Sequence, residues 1–131
     1  MSIQHVAVIG AGTMGNGIAQ VCALAGLDVT MVDVSTAALE RGRSTIASSL
    51  DRLVQKEKLQ PARRNETLQR IHTSTAYQEL KSAGLVVEAA TENLELKLRI
   101  LREIETVVSE EAVIASNTSA LPINDLAENC E

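Results

Sequence analysis

The 131-residue chain has no tryptophan and no phenylalanine, and Tyr77 is its one tyrosine. A core must therefore come from Val, Ile, Leu, Ala and Met. Such small aliphatic side chains suit a parallel sheet covered by helices, whose strands read as short unbroken apolar runs. The same lack leaves no set of rings on which successive bases could stack, which excludes a single-stranded nucleic-acid platform. Cysteine is almost as scarce. Cys22 and Cys130 stand far apart and without metal-ligand spacing, a pattern that fits a reducing cytoplasm better than a disulfide framework. No apolar run reaches the roughly 18 residues that a membrane span needs. No basic stretch followed by an apolar one precedes the first strand signal, so no leader is expected. The net charge of −5 argues against a nucleic-acid partner. Composition thus predicts one cytoplasmic α/β domain over residues 1–131, bound neither to nucleic acid nor to membrane.

What is present has a clear order. Val6 to Ile9 is an apolar run ended by Gly10, and from Met14 the apolar residues Ile18, Val21, Cys22 and Ala25 recur at helical spacing until Gly26. Val29 to Val32 predicts a second strand, closed by Asp33. Ser35 is placed to cap a helix from about Thr36 to Lys58, with Leu39, Ile46, Leu50, Leu53 and Leu59 as its stripe. Pro61 and the polar stretch 62–67 read as a break. Ile71–Ser74 is a weak strand signal and Leu85–Glu88 a stronger one. Glu92–Val108 reads as a charged amphipathic helix, Ala112–Ala115 as a strand, and Pro122–Glu128 as a last short helix. Strands alternating with helices in this way predict a doubly wound parallel sheet in a single domain.

Gly10-Ala11-Gly12-Thr13-Met14-Gly15 forms a G-x-G-x-x-G between the first strand and helix. Alone the pattern is weak; in that setting it signals a dinucleotide site. Gly10 permits the tight turn, Gly12 lets the backbone approach a pyrophosphate, and Gly15 lets helix and strand pack closely. Thr13 and Met14 open the helix, whose free N–H groups would face the phosphates. Asp33 stands 18 residues after Gly15 at the end of the second strand. A carboxylate there accepts ribose hydroxyls and repels a 2′-phosphate, and neither Val34 nor Ser35 offers a cation to hold one. NAD, not NADP, is the expected cofactor. A tight turn without a ligand, and Asp33 as a mere turn residue, are the bland alternatives.

Four segments together, AVIGAGTMGNGIA (7–19), VDVS (32–35), VVEAATENLELK (86–97) and SNTSALPI (116–123), resemble the N-terminal domain of the 3-hydroxyacyl-CoA dehydrogenase family. The resemblance spans nearly the whole chain. It implies a Rossmann fold, NAD as cofactor, and an acyl-CoA substrate oxidised at its 3-hydroxyl. It places Glu92 and Lys97 near the nicotinamide end, Asn117 beside the nicotinamide ribose and substrate, and Ser119 on the substrate's 3-oxygen. It also brings Lys56 to the region that meets the CoA moiety. From chemistry alone, Asn117 and Ser119 fit a loop at the carboxyl edge of the sheet, with helix capping as the alternative. Glu92 and Lys97 would otherwise read as ordinary surface helix residues.

Residues 41–72 hold eight Lys or Arg against three acids, a local +5 within an acidic chain. This is either a solvated face or a landing site for a phosphate-bearing substrate. Ala120 stands where many family members have a second serine. The resemblance also implies a general-base histidine on a following strand, paired with a glutamate, and then a helical domain. None of these is in the 131 residues, and His5 and His72 do not occupy the required place. The expectation is therefore a chain that binds NAD without turnover. An open edge at its last strand would favour homo-oligomers. A stand-alone dinucleotide module, or the front of a hydroxyacid or sugar-nucleotide dehydrogenase, are the competing readings.

Overall fold

The computed structural model describes residues 3–89, 94–108 and 112–116. Strands β1 (His5–Ile9), β2 (Asp28–Val32), β3 (Ile71–Ser74), β4 (Leu85–Glu88) and β5 (Val113–Ser116) form one sheet in the order β3-β2-β1-β4-β5. Every pairing is parallel. Helices α1 (Thr13–Leu24), α2 (Thr36–Gln55), α3 (Pro61–Gln69) and α4 (Leu94–Val107) connect them, with a 3-10 turn at Tyr77–Ser82 ahead of β4. This is the doubly wound α/β sheet expected from the alternation of strand and helix signals.

Strand β1 shows why its sequence is apolar without alternation. Val6 and Val8 join Val29, Met31, Ala19, Leu39, Ile46 and Leu50 in a core under α1 and α2. Ala7 and Ile9 point the other way, into a second core with Val32, Val86, Leu80 and Ile104. A strand buried on both faces has no polar side to present.

The helix ends follow local rules. Gly26, at φ +95°, closes α1, with the Gly26 N–H on the Ala23 carbonyl and the Leu27 N–H on that of Cys22. Those two bonds are the Schellman pattern. Helix α2 closes in the same way through Glu57 and Lys58, three residues earlier than the periodicity suggests, and Glu57 takes φ +60° without being glycine. The stretch after Pro61 is not a break. Pro61 is the first residue of α3, where its missing N–H costs nothing. The predicted helix at 122–128 lies outside the described residues.

Candidate dinucleotide-binding site

The chain leaves β1 for β2 and β3 on one side and returns for β4 and β5 on the other. That reversal leaves a crevice at the carboxyl ends of β1 and β4, where sheets of this kind take ligands. The glycine turn joins β1 to α1 at that edge. Gly10 adopts φ +103° and its N–H donates to the Val32 carbonyl at 2.7 Å, so the turn is anchored to β2 as it leaves β1. A side chain on Gly15 would sit 1.9 Å from the Gly10 carbonyl oxygen. Only glycine lets α1 start this close to the strand. At Gly12 a side chain would meet none of the described residues within 4 Å, so among them that glycine has open space beside it.

Helix α1 begins without a side-chain cap and with no acid in its first turn. Helix α2 contrasts with it: the Ser35 hydroxyl accepts the Ala38 N–H at 3.1 Å. The orphan N–H groups and positive dipole end of α1 are left for an anion, and the bordering space at Gly12 leaves room for one. Thr13 and Met14, the first two helical residues, are both exposed there. The residues present thus fit a pyrophosphate.

Asp33 follows β2 and is half-buried. Its Oδ2 accepts the Ala11 N–H at 3.1 Å and its Oδ1 accepts the Ser35 N–H at 2.9 Å. Each oxygen keeps a second lone pair. Two residues near this crevice were not singled out from sequence. Glu88 ends β4 opposite Ile9 and is fully buried; a carboxyl closing an apolar run at a sheet's carboxyl edge was the available signal. Gly42, in the middle of α2, lies against Ala11, and nothing in the sequence marks it. Tyr77 lies half-buried on the second core. Burial first, then the charges of Glu103, Asp33 and Glu88, raise its hydroxyl above the ordinary value near 10.

Of the other expected site residues, Lys56 caps the end of α2 and is exposed. Lys97 falls on α4, its side chain outside the described set, and Glu92, Asn117 and Ser119 lie outside the described residues. The basic segment divides. Arg43 donates to the carbonyls of Ile71 (2.6 Å) and Leu68 (3.3 Å). Arg63 and Arg70 reach the Leu24 and Ala23 carbonyls at the end of α1. Arg64 pairs with Asp51 at 2.9 Å. Half of the eight cations therefore fasten α3 and β3 to the rest of the fold. Arg41, Arg52, Lys56 and Lys58 are exposed on α2 and its end. His5 begins β1 at the amino edge, its ring nitrogens 2.8 Å from the Ser82 and Thr30 hydroxyls. His72 is exposed on β3.

A parallel sheet whose switch point is closed by a glycine turn and an uncapped helix is a dinucleotide-binding domain of the Rossmann type. Comparison with known proteins narrows that class. Residues 5–131 match the family model described as 3-hydroxyacyl-CoA dehydrogenase, NAD binding domain. The chain belongs to that family. The (S)-3-hydroxybutyryl-CoA dehydrogenase of Ralstonia eutropha superposes with a TM-score of 0.95 at 55% identity, over 98% of this chain and 45% of that one. The 3-hydroxybutyryl-CoA dehydrogenase of Bradyrhizobium diazoefficiens is 43% identical over 95% of this chain and 43% of its own length. A fatty acid oxidation complex subunit alpha from Psychrobacter cryohalolentis is 38% identical over 98% of this chain and 18% of its own. The chain thus spans less than half the length of each of these relatives.

Proposed function

We propose that this domain holds NAD for an enzyme that oxidises L-3-hydroxyacyl-CoA to 3-ketoacyl-CoA, and that the 131 residues alone bind the cofactor without turnover. The observation that carries the cofactor half is the uncapped start of α1 beside the Asp33 carboxylate. In this reading the N–H groups of Thr13 and Met14 take the pyrophosphate, and the free lone pairs of Asp33 take the adenosine ribose hydroxyls. When bound, the nicotinamide supplies the hydride acceptor; the protein's part is to place and orient it. Glu92 and Lys97 would flank that end, while Asn117 and Ser119 would orient the substrate's 3-oxygen. Lys56 and Lys58, free of the fastening role of Arg43, Arg63, Arg64 and Arg70, would meet the CoA phosphates.

The positions of the two histidines support the absence of turnover. His5 is at the amino edge, tied to two hydroxyls, and His72 is on the outer strand β3. Neither can take a proton at the carboxyl edge. The relatives' names support the acyl-CoA substrate. The exposed Val113 on β5, the last strand at one side of the described sheet, supports pairing with a second copy, and Cys22, free among the described residues, supports a cytoplasmic setting. Calorimetric titration tests the core of this reading. NADH should bind more tightly than NADPH by about tenfold or more, the worth of one uncompensated charge contact. Equal affinities, or tighter NADPH, would remove the role given to Asp33.

A further inference from the structure

Ala11 is buried within the glycine turn, at 2% exposure, and it is gripped from two sides. From β2, the Asp33 Oδ2 holds its N–H. From α2, the backbone at Gly42 presses so close that a side chain there would lie 2.7 Å from the Ala11 carbonyl oxygen and 3.3 Å from its Cβ. The other Asp33 oxygen is fixed by the Ser35 N–H, so the carboxylate cannot rotate toward a ligand without releasing Ala11. The peptide of Ala11 leads directly into Gly12 and the uncapped start of α1.

We propose that Asp33 and Gly42 are positioning residues which hold the Ala11 peptide, and through it the phosphate-facing turn, in its binding geometry before the cofactor arrives. This rests on the cofactor reading above and adds to it. Asp33 acts on the pyrophosphate through the turn, in addition to accepting ribose hydroxyls. Gly42, which nothing in the glycine fingerprint includes, acts only through Ala11. Preorganisation of this kind raises affinity by removing an ordering cost.

The two roles of Asp33 separate with an NAD analogue that lacks both adenosine ribose hydroxyls. The full 131-residue chain, Asp33→Ala and Gly42→Ala are each titrated calorimetrically with NADH and, in competition, with the reduced analogue. Amide hydrogen exchange at Ala11 is read without ligand. A ribose acceptor alone leaves the analogue binding wild type and Asp33→Ala equally. A positioning role makes the analogue bind Asp33→Ala weaker by about fivefold or more, a coupling expected between groups sharing a network. Gly42→Ala should weaken NADH and the analogue by the same factor, and Ala11 should exchange faster in Asp33→Ala. A role in overall stability alone would lower the melting temperature of both variants and leave their affinities well below it unchanged. Equal analogue affinities in wild type and Asp33→Ala, or unaltered affinities in Gly42→Ala, would overturn the proposal. Failure of the wild type to bind NADH would instead refute the cofactor reading, and Ala11 exchange would still decide whether the clamp exists. Should Asp33→Ala not fold, Gly42→Ala carries the test.

Discussion

Two glycines on the first two turns of α1 provide a matched pair of perturbations. Alanine at Gly15 would place its methyl 1.9 Å from the Gly10 oxygen and 2.8 Å from the Gly10 carbon. Comfortable contact lies near 3.5 Å, so the turn must retreat by roughly 1.5 Å. Gly10 resists this, because its N–H is bonded to Val32 at 2.7 Å. Overpacking of this kind costs about 1–3 kcal/mol, while exchanging glycine for alanine inside a helix returns at most about 1 kcal/mol. The 1.9 Å overlap puts Gly15→Ala at the upper end of that cost, so the net expectation is a loss of about 2 kcal/mol. Gly17→Ala gains the same helical preference with no atom of the described residues within 4 Å of its methyl, so it should stabilise by up to about 1 kcal/mol. Urea unfolding followed by far-ultraviolet circular dichroism measures both, since the chain has no tryptophan to report. The melting temperatures should part in opposite directions, by on the order of 4 °C per kcal/mol. Shifts of the same sign and size would refute the claim that strand contact excludes a side chain at position 15. NADH affinity should also fall in Gly15→Ala, because the N–H groups of Thr13 and Met14 move with the turn.

Glu57→Gly should stabilise the chain by roughly 0.5–1 kcal/mol, because it relieves a left-handed backbone that costs an L-residue about 1–2 kcal/mol, offset in part by the unfolded-state entropy that glycine adds; thermal unfolding checks it. Arg43→Ala should cost roughly 2 kcal/mol through the Ile71 and Leu68 carbonyls it abandons. Arg43→Lys should recover only part of this in the same urea titration, since one ammonium cannot copy a fork. The single tyrosine can be titrated by its ultraviolet difference spectrum. Tyr77 should ionise above pH 10 in the folded chain, first through burial and then through Glu103, Asp33 and Glu88. Its folded value exceeds its unfolded one, so the stability linked to it is present below pH 10 and lost as pH rises through the folded value. A midpoint at or below 10 would contradict the acidic surroundings drawn for it.

Most of the architecture was legible because strands buried on both faces advertise themselves as unbroken apolar runs. Val6–Ile9, Val29–Val32 and Leu85–Glu88 all sit where those runs lie. The glycine turn was legible because steric demands at Gly10 and Gly15 leave one residue type. Helix α3 was missed because its polar sequence, PARRNETLQ, carries almost no apolar stripe. It is held by arginines on backbone carbonyls, which periodicity does not register. In the sequence the same arginines belong to a basic segment that reads either as a solvated face or as a landing site for phosphate. Gly42 was illegible for a different reason: its meaning lies in Ala11, 31 positions earlier in the sequence and touching only in the fold.

The sheet order has a consequence for how the chain is made. Among the five strands the central one, β1, comes first in the sequence, and its two neighbours follow at unequal distances: Val6 aligns with Val29 on one side and with Leu85 on the other. At about 5–20 residues per second, the second neighbour emerges on the order of 4–15 s after the first strand. During that interval β1 keeps one open edge, and the face that carries Ala7 and Ile9 lacks the Val86 and Ile104 that cover it in the finished fold. The residues that make β1 the centre of the finished sheet therefore leave it with an unpaired edge until β4 has been made.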